Sequence, residues 1–333
     1  MSTQTSSFDK PFKTYDELLN LLEARNIIIP DRNSARIKLS TISYYSLVNG
    51  YKDLYERDKS DKFIEPIEFD DLYILYNFET SLNNIIFKYI IYVEKALKSS
   101  ISYIVSEKYG VFTDYNDLKN TNPNDYLYRK NYRSKLETQQ ILRDIKLKIQ
   151  NSANESVCHY KNNHNHIPCW IVVNDIPFGA AIKWFEILKG YDKTFVAEVL
   201  FKNIHFSSDE KKEFLNKGLT ILRKYRNNIA HGNKIFINYI TEELPKRQVL
   251  KIARGEITDT DYKNGIGRND IFAVIIALYA ILYKDHRILF LNEIINLFSS
   301  YAEYRFMNGK DVLEMLSLPN DFVSKLINLN SFQ

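Results

Sequence analysis

The sequence predicts an all-α fold: a helical bundle built on a very long central helix and flanked by N-terminal and C-terminal helices. Three observations lead there. Residues 69–109 contain neither glycine nor proline, and their apolar residues recur at helical steps. A second stretch, from Ser207 to Gly232, carries start and stop signals at its two ends. The chain has only 10 glycines in 333 residues, few for an architecture built on nucleotide-cradling loops.

The polar start, Met1 to Ser7, is expected to be a disordered tail ending near residue 10. Thr14 and Glu17 have the spacing of a capping box, and Leu18, Leu19, Leu21 and Leu22 supply an apolar face, so a helix is expected from Thr14 to Asn26. Pro30-Asp31 marks a turn. A short helix follows from about Ser34, and Phe63–Phe69, with Pro66, reads as a loop. Residues 11–65 form the expected N-terminal helical segment.

The central helix carries Leu72, Leu75, Phe78, Leu82, Ile86, Ile90, Val93, Leu97, Ile101 and Val105 in steps of three and four. It is one helix or two joined by a kink, and Gly110 is its natural stop. A helix is expected over Leu136–Ile149, and the Asn- and His-rich stretch Asn151–Pro168 reads as a loop. Phe178-Gly179 is expected to break the apolar run Trp170–Phe178 before a further helix through Leu188. Together, residues 66–235 make the expected core. Beyond it, Asn233–Gly267 reads as irregular, with room for a short strand pair. Helices are expected over Asp270–Lys284, Ile288–Phe306, Asp311–Leu316 and Asp321–Leu329, packed on the core as part of 236–333.

A net charge of +4 permits a nucleic-acid partner without demanding one. The longest uncharged apolar run, Ile271–Tyr283, is too short to span a bilayer and reads as a buried helix. No secretory signal opens the chain and only two cysteines occur, so a cytoplasmic setting without a disulfide framework is expected. Cys158, His159, His164, His166 and Cys169 gather zinc-ligand types in one stretch, but without a Cys-x-x-Cys pair. No cofactor or metal is expected.

The chemistry concentrates in Arg226-Asn227-Asn228-Ile229-Ala230-His231. Leu215, Leu219, Leu222 and Arg226 share one helix face, so Arg226 stands where the pattern asks for an apolar residue. His231, five residues on, lies roughly 140° around the axis in a straight helix. The two side chains converge only if the last turn distorts or if two copies of the helix meet across a dimer axis. A histidine that moves a proton and an arginine that holds a phosphate suit RNA cleavage without a metal. The structural alternative is that His231 complements the helix dipole and Arg226 pairs with a carboxylate such as Glu94. Glu94 could instead pair with Lys98 at i, i+4. Lys217, Arg223 and Lys224, with Lys211 and Lys212, either track an RNA backbone or form a solvated face.

Arg226 to His231 resembles the Arg-x-x-x-x-His signature of the HEPN superfamily, in the form with Asn after Arg. Lys10-Pro11-Phe12-Lys13-Thr14-Tyr15, Ile42 to Tyr51, Phe69 to Tyr73, Tyr76-Asn77-Phe78, Ile91 to Leu97, Pro168-Cys169-Trp170 and Phe178-Gly179 resemble the bacterial Abi-like family of abortive-infection AbiD/AbiF type, over about residues 10–235. The resemblance implies a HEPN-type fold and a dimeric, metal-independent endoribonuclease. It implies an anti-phage toxin held in check until infection, with a small non-coding RNA as a possible regulator. Carried over, Arg226 and His231 are the catalytic pair and Asn227 their polar companion. Some relatives bear a modifiable Tyr two residues after the His; here Asn233 stands there. The rival reading is a non-catalytic helical module that binds RNA or protein, with Arg226 and His231 structural.

Overall fold

A computed structural model describes residues 10–201, 205–232, 234 and 240–331. All but the last residue of the expected tail, residues 1–10, and residues 233 and 235–239 just after the motif lie outside them. The chain is all-α, and among the described residues the only strands are one pair of two residues each. It divides into two compact units. The first comprises residues up to Asn83, Asn233–Asn238 and Ile295–Val323; the second comprises Asn84–Gly232, Tyr239–Ile294 and Ser324 onward.

In the first unit, α1 (Tyr15–Ala24) starts on the capping box read from the sequence: Glu17 N donates to Thr14 Oγ1, and Thr14 N to the Glu17 carboxylate. It buries Leu19 and Leu22. β1 (Ile27–Ile28) precedes α2 (Arg32–Thr41), which is capped by Asp31. β2 (Ile67–Glu68) pairs in parallel with β1, Ile27 opposite Ile67. The expected loop at Phe63–Phe69 therefore contains a strand, one whose partner lies forty residues earlier and leaves no local pattern. α3 (Phe69–Tyr109) then runs unbroken for 41 residues and stops at Gly110, whose φ of +80° needs glycine. Its first turns contribute Phe78, set edge-on against Phe298 and Tyr301.

A buried polar cluster occupies the same unit. Tyr51 donates to the Glu79 carboxylate, and Lys234 Nζ lies 3.0 Å from Tyr51 Oη and 3.2 Å from Glu79. The same ammonium stands 4.5 and 5.0 Å from the ring centres of Tyr51 and Tyr76. A Cβ at Gly50 would come within 2.6 Å of Lys234 Cε and 2.4 Å of the Ser46 carbonyl oxygen. Only glycine fits there.

The second unit holds the rest of α3 and α4 (Thr138–Gln150), α5 (Glu155–Asn163), α6 (Cys169–Asp175), α7 (Phe178–Ile187), α8 (Gly190–Leu200) and α9 (Ser208–Ala230). α10 (Lys246–Ala253), α11 (Asp259–Lys263) and α12 (Ile271–Ile281) follow. α13 (Lys284–Ser300) begins in this unit; α14 (Val312–Met315) belongs to the first; α15 (Phe322–Ser331) ends in the second. Every residue of α12 is buried, as its uninterrupted apolar sequence demands. Gly218 of α9 lets the two helices close up: a Cβ there would stand 3.4 Å from Ile281 and 3.7 Å from Ala277.

The structure corrects several expectations here. Asn151–Pro168 is not a loop, because Asn154 caps α5 and Val157 anchors it in the core. The break in the next apolar run falls at Ile176-Pro177, where Ile176 is extended as a residue before proline must be. Gly179 lies inside α7. Helix α8 was not foreseen at all. Among the described residues of 233–267 there is no strand pair; α10 and α11 occupy that region.

Lys146 is fully buried. Its ammonium donates to Asp125 at 2.6 Å and to the Asp117 carbonyl at 2.9 Å. Asp125 also accepts from the amides of Asp114 and Leu127. This is the fully partnered state that a buried ion requires.

Candidate active site

Helix α9 is held firmly at its start and left open at its end. Ser207 and Glu210 form a capping box, with Ser207 N donating to Glu210 at 2.9 Å and Glu210 N donating to Ser207 at 3.3 Å. Phe214, Leu215, Gly218, Leu219, Ile221, Leu222 and Tyr225 bury its inner face. Arg226 continues the Leu215–Leu219–Leu222 line and is half-buried. Its guanidinium carbon sits 5.9 Å from the centre of the Phe87 ring on α3. Nη1 reaches Asn227 Oδ1 only at 3.5 Å, the limit of a hydrogen bond. Among the described residues no carboxylate pairs with Arg226.

The sequence offered Glu94 as that carboxylate. Instead, Glu94 takes the i, i+4 partner: Lys98 Nζ stands 2.6 Å from its carboxylate. Arg226 thus keeps both the charge and the free donors of an anion ligand.

His231 is the residue on which α9 ends. Its backbone N–H donates to the Asn227 carbonyl at 3.0 Å, and Gly232, at φ +70°, turns the chain away. The His231 side chain is exposed. Among the described residues no side chain hydrogen-bonds its imidazole, and nothing links it to Arg226. Within one chain the motif therefore presents a half-buried guanidinium and an open imidazole near the end of one helix.

The basic residues of α9 are largely engaged. Lys211 is buried against Glu198, and Lys212 lies 2.7 Å from Asp209. Lys217 and Lys224 converge on Glu242, whose carboxyl is held below its ordinary range chiefly by the hydrogen bond from Lys217. The Arg223 side chain packs on Gly179, where a Cβ would meet its Cδ at 3.2 Å.

An open groove lies along α3 instead. It has a volume of about 330 Å³ and is lined by Ile91, Glu94, Lys95, Lys98, Trp170 and Asn174, among others. Ile91 is one turn along α3 from Phe87, the ring under Arg226. Trp170 is 46% exposed, unusual for so large an apolar side chain. Lys95 is exposed as well. Sequence reasoning gave no functional role to Phe87, Lys95, Trp170 or Asn174, although Lys95 and Trp170 lie in stretches that resemble the family. For Phe87 and Lys95 the signal was present, since both fall on the face of α3 that the apolar stripe leaves uncovered.

The gathered Cys and His residues do not form a metal centre. Cys158 Sγ donates to the Ser152 carbonyl and Cys169 is fully buried, its thiol pushed up by burial. His164 stacks on Tyr160 with ring centres 4.5 Å apart. Among the described residues no three His, Cys, Asp or Glu side chains are placed to hold a metal ion. No helix of the described residues is long and apolar enough to cross a membrane.

An all-helical chain whose one motif ends a long, tightly packed helix defines the class of protein. A family model of Abi-like proteins matches residues 37–237, and the chain belongs to the Abi-like family. The matched segment contains the Tyr51–Tyr76–Glu79–Lys234 cluster, the groove on α3 and the whole of α9. No curated protein and no solved structure matches the chain.

Proposed function

We propose that this chain is a HEPN-type endoribonuclease that acts as an abortive-infection toxin and works as a homodimer. The observation that carries the proposal is Arg226: a guanidinium in an apolar stripe, on the helix that ends at an exposed His231, neither of them with a carboxylate partner among the described residues. Membership of the Abi-like family supports it.

The chemistry follows from the two side chains. The 2′-oxygen of RNA attacks the adjacent phosphorus, and the bond to the 5′-oxygen breaks. One proton leaves the 2′-hydroxyl and one arrives at the departing 5′-oxygen. Imidazole, with an ordinary pKa of about 6.5, can serve as base or acid in such transfers. Two copies of the motif helix across a two-fold axis supply one histidine for each transfer. Arg226 donates to the non-bridging phosphate oxygens as charge builds on them. Asn227 steadies the guanidinium. The products end in a 2′,3′-cyclic phosphate and a 5′-hydroxyl.

The groove on α3 extends this site. Trp170 offers a face for a base and Lys95 a charge for a phosphate. Lys217 and Lys224 reach RNA only by giving up Glu242, so they rank below Lys95 as backbone contacts.

The test is cleavage of RNA by purified wild type, His231→Ala and Arg226→Ala proteins, with thermal melts of each. The expected result is cyclic-phosphate ends from wild type and a loss of about 10²–10⁴-fold in rate for His231→Ala, with melts little changed. Equal cleavage by all three proteins contradicts the assignment. Lowered melting with no cleavage by any of them, wild type included, supports the rival binding module.

A further inference from the structure

A second guanidinium stands apart from the motif, in the part of the chain beyond the family match. Arg287 lies in the first turn of α13 and is only 6% exposed. Nη2 donates to the Leu282 carbonyl at 3.2 Å, and the guanidinium carbon stands 4.7 Å from the centre of the Tyr279 ring. Its Nε–H is buried with no acceptor. Among the described residues no carboxylate pairs with it. Asp285, in the same turn, is exposed and forms no ion pair with it.

Three features make this an unfavourable place for an uncompensated cation. The side chain is out of water, where a charge requires a partner. The start of a helix is its positive end. The positive charge of Arg254 adds to this, as the smallest influence after burial, and the Tyr279 hydroxyl acts in the opposite sense. Arginine does not escape by losing its proton. Compare Lys146, another buried cation of this unit, which has both a carboxylate and a carbonyl.

Arg287 also lines a cavity of about 280 Å³ between α3, the end of α8 and the α12–α13 junction. Ser99 and Ser100 of α3 line it, with Leu200, Ile281 and Leu282 among its apolar walls. Ser100 spends its hydroxyl proton on the Ala96 carbonyl. Ser99 is exposed and stands at the rim, where its hydroxyl has no protein acceptor among the described residues. The cavity wall is fixed: Lys88 and Tyr89 of α3 both donate to Glu293 of α13, at 2.6 and 2.9 Å, and His286 stacks on Tyr92.

We propose that this cavity is a binding site for a small organic oxyanion, whose phosphate or carboxylate head is held by Arg287 and Ser99 and whose body lies on the apolar wall. The head accepts from the guanidinium where it lines the cavity and neutralises the buried charge. The volume is at the small end for ligand pockets, so the body is a few heavy atoms, not a nucleic-acid strand.

The test is a thermal-shift and calorimetric titration of the full chain with glycerol 3-phosphate, inorganic phosphate and benzoate, against sodium chloride at matched ionic strength. Glycerol 3-phosphate binding better than benzoate assigns a phosphate head; the reverse assigns a carboxylate; inorganic phosphate shows whether the head alone suffices. The expected result is a saturable rise in melting temperature with at least one organic probe. Arg287→Met should abolish that rise and melt no lower than wild type, because an unpaired buried charge has been replaced by an apolar side chain. Ser99→Ala should weaken binding by roughly 2- to 10-fold. The proposal is overturned if none of the probes exceeds the salt control. It is equally overturned if Arg287→Met binds as wild type does, or if it melts well below wild type while no probe binds.

Discussion

Arg226 and Arg287 invite comparison. Both lie in the second unit, both stand over an aromatic ring, and neither has a carboxylate among the described residues. They differ in solvent and in helix polarity. Arg226 is half-buried near the negative end of α9, where a cation is tolerated. Arg287 is buried at the positive start of α13, where it is not. The first can meet a long polyanion at an open surface. The second can meet only what enters a small cavity. A missing carboxylate therefore has different meanings at the two places, and accessibility decides between them.

Lys146 calibrates the comparison, because it is buried and fully paired. Asp125→Asn leaves its ammonium without a counter-charge and should cost about 3–5 kcal/mol of stability by denaturant unfolding. Arg226→Ala removes a half-exposed group with no ion pair and should cost far less. Equal losses would mean that Arg226 is structural and would erase the contrast.

Trp170→Ala sharpens the reading of the open site. Stacking on one base is worth about 1–3 kcal/mol, so the KM for RNA should rise by roughly 5- to 150-fold with little change in melting. An unchanged KM removes the groove from the substrate path while leaving the motif in place.

Co-expression of Arg226→Ala and His231→Ala chains tests how the site is shared. If one composite site at the two-fold axis draws on both histidines, a mixed dimer has only one histidine and one arginine, and the mixture should stay well below about a quarter of wild-type activity. Recovery to about a quarter would mean instead two separate sites, each built of one arginine and one histidine from opposite chains.

The long helices were legible in the sequence because their signals are local. Steps of three and four run the length of α3, and capping boxes mark Thr14-Glu17 and Ser207-Glu210. Gly110 and Gly232 end helices where glycine alone is comfortable. The short elements were not legible. α5 is mostly Ser, Val, Cys, His, Tyr and Asn, weak helix formers that depend on the Asn154 cap and on packing. The strand pair joins residues forty apart. α10 was hidden by its charges, although Val249, Ile252 and Ala253 bury a face.

The motif was legible, and so was the Glu94–Lys98 pairing, since both depend on spacing along one helix. Its surroundings were not. Phe87 reaches Arg226 from another helix, and the cavity at Arg287 is assembled from α3, α8, α12 and α13. Such neighbours are set by tertiary packing, which no single stretch of sequence records.

Substituting the two arginines in the same way asks whether Arg226 holds the scissile phosphate of RNA. The cleavage rate of one end-labelled RNA should be measured with wild type, Arg226→Met and Arg287→Met. Arg226→Met should cut about 10²–10³-fold more slowly, and Arg287→Met no more slowly than wild type. Cleavage by Arg226→Met at the wild-type rate would contradict that role.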